Sequence, residues 1–118
     1  MNDTDLDDRA NGLLDWQWRA YPNGHRDRRN LVIHALTVPL FCAGNLAVLL
    51  TPAIGILGLF GALAMVIAVA LQGRGHRRER VAPLPFRGPL DVVVRLFVEQ
   101  WVTFPRFVLS GRFAAAWR

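Results

Sequence analysis

The chain has 118 residues and a formal net charge of +5, with 14 basic residues against nine acidic ones. That length leaves room for one domain, and a single cysteine, Cys42, excludes a disulfide framework within the chain. The basic residues are all arginine and stand at the ends of apolar segments, where arginine meets lipid headgroups. Membrane lipid is therefore the expected partner and nucleic acid is not.

Met1 to Asp8 is acidic and lacks the basic start of a signal peptide, so residues 1–12 read as an uncleaved disordered tail before a single membrane domain over 13–118. Leu13 to Tyr21 (LLDWQWRAY) is amphipathic, and Trp16, Trp18 and Tyr21 suit a membrane interface. Pro22-Asn23-Gly24 signals a turn. From Leu31 to Gly73 the chain runs 43 residues without Asp, Glu, Lys or Arg, about twice the ~20 residues that cross a bilayer as a helix. Spans over 31–51 and 53–73, joined at Thr51-Pro52, make a transmembrane hairpin. Gly55, Gly58, Gly61, Ala62, Ala64 and Ala68 let its helices approach closely. Arginines flank the outer ends of the hairpin and are absent from its turn, which places both termini in the cytoplasm and the protein in the cytoplasmic (inner) membrane.

Val81 to Phe86 (VAPLPF) reads as an extended link. Gly88-Pro89 opens a third helix over 89–110, with Leu90, Val93, Val94, Phe97, Trp101, Phe104 and Val108 at helical spacing. Asp91, Arg95 and Glu99 form an i, i+4 charge ladder on its other side. Two placements are open: in the cytoplasmic interface, which is the expectation, or packed on the hairpin with its charges inward. The fold class is all-α, a transmembrane hairpin with flanking interfacial amphipathic helices.

A two-crossing hairpin returns the chain to the face it left. His25, Asn30 and His34 before it, and Gln72, His76 and Glu79 after it, should therefore share one membrane face. Asn30 and His34 share a helix face by their four-residue spacing, as do Gln72, His76 and Glu79 at i, i+4, i+7. Three imidazoles and a carboxylate are ligands for first-row metals, and this set suits non-haem iron or zinc. Asn30 also suits a helix N-cap, and Glu79 among arginines suits a solvated ion pair. No GxSxG, phosphate-binding loop, CxxC or HExxH occurs.

These motifs resemble a family of small membrane proteins that includes the fungal endoplasmic-reticulum 2-hydroxy-fatty-acid dioxygenase of phytosphingosine breakdown. The family opens with an aromatic stretch and a His, Asn, His series, matched by Trp16 to Tyr21, His25, Asn30 and His34. After the apolar region it carries Gln, Gly-His and Glu, matched by Gln72, Gly75, His76 and Glu79. Glu79 stands three residues after His76, where the family usually has four. The resemblance spans about residues 13 to 110. It implies Fe(II)-dependent dioxygenation of a 2-hydroxy acyl substrate, with loss of one carbon. On that basis His25, His34 and His76 would hold iron, with Glu79 in a catalytic role. Asn30 and Gln72 would orient ligands, and Arg74 or Arg77 would pair with the substrate carboxylate. The alternative is a non-catalytic scaffold that holds anionic lipid.

Overall fold

Asp27 decides where the first long helix begins. Its carboxylate accepts from the backbone N–H groups of Arg29 (2.9 Å) and Asn30 (3.1 Å), which satisfies two donors that a helix start leaves unpaired. The cap is thus Asp27 and not Asn30. The computed structural model describes residues 9–118, so the acidic tail expected over 1–12 lies mostly outside the described residues.

Every regular element among the described residues is helical. Helix α1 (Leu13–Ala20) runs into a 3₁₀ turn (Tyr21–Gly24). Helix α2 (Arg28–Leu49) follows, then a single turn α3 (Thr51–Ile54), and α4 (Leu57–His76). The expected boundaries of 31–51 and 53–73 shift accordingly. The Asp27 cap starts α2 three residues early, and Gly55, at φ 62°, breaks the chain before α4. Both α2 and α4 are long and apolar enough to cross a membrane, by length and composition.

The two helices pack antiparallel along their length. A Cβ on Gly44 would stand 2.5 Å from the Gly61 carbonyl oxygen, and a Cβ on Gly61 would stand 2.5 Å from that of Gly44. Only glycine permits backbones this close. The outer faces stay apolar and uncovered, with Leu36, Leu59, Phe60 and Val66 all exposed.

The third helix is α5 (Pro89–Val98), continued by a π-helical turn (Glu99–Thr103) and α6 (Phe104–Leu109). Gly111, left-handed at φ 84°, turns the chain into α7 (Arg112–Trp117). The helix packs with its polar side inward. Arg95, Gln100 and Thr103 are buried, whereas Leu90, Val93, Trp101 and Val108 are exposed. The charged side of this helix thus faces the protein, as the inward placement requires. The ladder also changes. Arg95 keeps Asp91 at 3.6 Å, while Glu99 turns toward the histidines at 3.5 and 3.8 Å. Glu99 follows Arg95 in regular helical register, and the π turn that starts there inserts an extra residue into the spiral and rotates the side chains beyond it, so that the adjacent Gln100 also faces the interior.

Candidate metal centre

Three histidines from three different elements converge at one end of the helix pair. His25 caps the 3₁₀ turn, His34 lies in the second turn of α2, and His76 ends α4. Their ring centroids form a nearly equilateral triangle of 4.7, 4.8 and 4.9 Å. Glu99 closes the group from the π turn. One ligand atom from each of the four residues lies within 4.8 Å of all the others.

The hydrogen bonds fix two of the tautomers. His25 Nδ1 donates to the Tyr21 carbonyl at 2.8 Å, and His34 Nδ1 donates to the Asn30 carbonyl at 3.0 Å. Carbonyls only accept, so the protons sit on Nδ1 and both Nε2 lone pairs point inward. Those two Nε2 atoms face each other at 3.4 Å. The Glu99 carboxylate faces both. Three acceptors converging in a buried space call for a positive charge between them, which a metal ion or a proton on one of the imidazoles supplies. Two nitrogens bound at ~2.1 Å in tetrahedral geometry would be about 3.4 Å apart. A histidine whose other nitrogen donates to a backbone carbonyl is the usual orientation of a metal ligand. His76 Nδ1 is buried with no hydrogen-bond partner. The four residues could therefore hold a metal ion.

Burial acts to raise the Glu99 carboxyl; a proton taken up by the facing imidazoles, which gives His25 a hydrogen bond to donate and the rings a positive charge, outweighs burial and holds the group below its ordinary value. It is a carboxylate at neutral pH. Burial first, and then the Glu99 charge, push the Tyr21 phenol well above its ordinary value.

The remaining sequence candidates divide. Asn30 is fully buried; its Nδ2 donates to Glu79 Oε1 (2.8 Å) and to the Gly24 carbonyl (3.2 Å), while its own carbonyl orients His34. A side chain at Gly75 would collide with this amide. Gln72 donates to Thr37 Oγ1 and to Gln100 Oε1, both at 3.0 Å, and accepts from Gln100 Nε2 at 2.8 Å. This reciprocal amide pair ties the third helix to α4 directly beside Glu99. Glu79 is not in the cluster. Its Oε1 accepts from Asn30 and from the backbone N–H groups of Arg26 and Asp27, both at 2.9 Å. It braces the start of α2 against the end of α4.

A cavity of about 910 Å³ reaches His25, His76, Gln72 and Glu99. Its walls are largely apolar, with Val69, Val81, Leu84, Phe86 and Leu96, and Arg77 and Arg80 also line it. Arg74 is exposed and lies outside these walls. The link Val81 to Phe86 forms one wall and is held by Arg95. Its guanidinium donates to the carbonyls of Leu84 (3.0 Å) and Pro85 (3.1 Å) and lies over the rings of Phe86 and Trp16.

Two site residues escape the sequence reading. Glu99 reads in the sequence as part of a surface ladder, although a carboxylate in the middle of an apolar helix is itself a signal of function. Tyr21 reads as an interfacial aromatic. Comparison with family models, curated proteins and solved structures finds no match to this chain.

Proposed function

We propose that this is an integral membrane oxidoreductase, an Fe(II)-dependent dioxygenase acting on a 2-hydroxy fatty acid or a similar lipid. The observation that carries the reading is the position of the His25–His34–His76–Glu99 cluster. It lies at the polar end of two apolar helices, against a cavity with apolar walls and arginines. An acyl chain fits such walls, and a polar head fits the end that bears the imidazoles. The family resemblance of the His, Asn, His and Gln, Gly-His motifs supplies the choice of iron and of reaction. Zinc fits the same donor set.

Bound Fe(II) with open positions would supply oxygen activation. The chain's own residues do the rest. Asn30 and Tyr21 fix the orientation of His34 and His25 through their carbonyls. The Gln72–Gln100 pair holds the third helix so that Glu99 faces the imidazoles. Arg77 and Arg80, which have no ion pair among the described residues, lie where an anionic head can pair with them. The apolar walls and the link Val81 to Phe86 exclude water from the acyl chain. Glu79 acts through Asn30, so we assign it positioning and not catalysis.

In this reading α2 and α4 cross the inner membrane and both termini are cytoplasmic. Reporter fusions at residue 52 and at Arg118 should report opposite compartments. For the activity, purified protein reconstituted with Fe(II) and given 2-hydroxypalmitate should consume oxygen and release an acid one carbon shorter. Oxygen uptake that ignores the lipid, or a bound metal without any uptake, would contradict the assignment. The scaffold reading draws on the stacking of Arg106 and Arg112 on Trp18, each at 4.1 Å. It predicts binding of anionic vesicles that is insensitive to metal.

A further inference from the structure

Tyr21 is buried to 4 % exposure, and its ring is fixed on two sides. It stacks on the His25 imidazole at 3.7 Å and 13°, and meets Phe107 edge-on at 5.1 Å. Its hydroxyl is buried and makes no hydrogen bond of ordinary length and angle, although the Glu99 carboxylate of the cluster lies near enough to act on it. A phenylalanine would keep both ring contacts and remove that unpaired group. Buried hydroxyls left unsatisfied are costly and uncommon.

The hydroxyl belongs to a residue that lines the same cavity as His25, His76 and Glu99. A second buried donor on that wall, Trp16 Nε1, also lacks a partner. An indole N–H can only donate. The cavity therefore offers donors beside its cluster of acceptors, an arrangement that suits a ligand bringing an oxygen acceptor of its own.

We propose that the Tyr21 hydroxyl is the hydrogen-bond donor for an oxygen atom of the molecule bound at the metal cluster. This rests on the metal-dependent function proposed for the cluster and adds a recognition residue to it. The ligand class is an acid or hydroxy acid, whose carboxylate or hydroxyl oxygen supplies the acceptor while its tail follows the apolar wall. Tyr21 is not a metal ligand here. It selects what binds beside the metal.

The chain contains one tyrosine, so protein grown on 3-fluorotyrosine carries a single ¹⁹F label at position 21. The experiment uses full-length protein in detergent, loaded with Zn(II) as a diamagnetic metal and titrated with 2-hydroxydodecanoate. The ¹⁹F resonance should shift and saturate with the probe. Tyr21→Phe should take up zinc at the wild-type stoichiometry and bind the probe about tenfold more weakly, the scale of one hydrogen bond to a charged group. Equal probe affinity in Tyr21→Phe overturns the proposal, as does a static ¹⁹F resonance when zinc and probe are both bound; either result leaves the metal reading standing. Loss of zinc in Tyr21→Phe also overturns it, by showing that the residue supports the ligand shell. Wild-type protein that takes up no zinc removes the metal reading and the proposal together. If Tyr21→Phe fails to fold, the ¹⁹F titration of the wild-type chain decides alone.

Discussion

The two ends of the helix pair are built on opposite principles. Around Gly44 and Gly61 the backbones touch, and the packing neighbours are Ala47, Ala64 and Met65. This end is held by close approach and van der Waals contact. Around His34 and His76 the same helices are separated by imidazoles, amides and a carboxylate brought in by the third helix. Asn30, Gln72, Gln100 and Thr37 are all buried there. Burying so many polar groups gains no stability over an apolar core and demands that every partner be in place. One end is held by close backbone packing, and the other buries a polar cluster that could hold a metal ion.

A pair of substitutions breaks this comparison most sharply. His34→Ala or His76→Ala should abolish metal binding while expression and membrane insertion persist, because removing a buried polar ring lowers the cost of burial. Gly61→Leu should do the reverse. Its side chain has no room against the Gly44 carbonyl and the Ala47 Cβ, and it should destabilise the protein by ~1–3 kcal/mol or more in detergent unfolding. Metal bound per folded chain should be unchanged. If both classes of variant lose metal and stability alike, the two ends are not separate.

The two glutamates at the polar end offer a finer test. Glu99→Gln removes a charge from the cluster itself, and metal affinity should fall roughly 10–100-fold. Glu79→Gln keeps an oxygen that can accept from Arg26, Asp27 and Asn30, so its affinity should fall less than about tenfold. Isothermal titration with Zn(II) measures both. The opposite order would return Glu79 to the site.

Arg95→Ala should loosen the Val81 to Phe86 wall and cost ~1–3 kcal/mol of stability, the scale of lost hydrogen bonds to a charged group, with little change in metal content. Its partner Asp91 gives the smallest effect. The hydrogen bond from Arg9, with further help from the Arg87 backbone and the charge of Arg95, holds the Asp91 carboxyl well below the usual carboxylate range. A depressed carboxyl contributes stability above its unfolded value, near ~3.9, and loses that contribution as pH falls below it. Asp91→Asn should therefore weaken the protein at neutral pH and flatten its acid-unfolding profile below about pH 4.

These contrasts also mark what the sequence could reveal. The two helices of the pair were legible because the uncharged run from Leu31 to Gly73 is long and its ends are crowded with arginine. The three histidines were legible because a hairpin brings both ends of that run to one place. Glu99 was not legible, since its partner in the ladder, Arg95, sits at ideal helical spacing. That spacing holds in the structure, but the stripe that bears it faces the interior and not solvent. The third helix was harder to place, because inward polar residues invert the rule that reads a polar stripe as solvent-facing. Cys42 stays half-buried, with its thiol on the Gln100 carbonyl at 3.6 Å, in keeping with an inert core group.

The central claim is that His25, His34, His76 and Glu99 are one metal site. The most direct measurement is metal per chain by elemental analysis after anaerobic purification, for the wild-type protein, His34→Ala and His76→Ala at matched expression. The account predicts about one iron per wild-type chain and essentially none in either variant. Full iron occupancy in both histidine variants would contradict it.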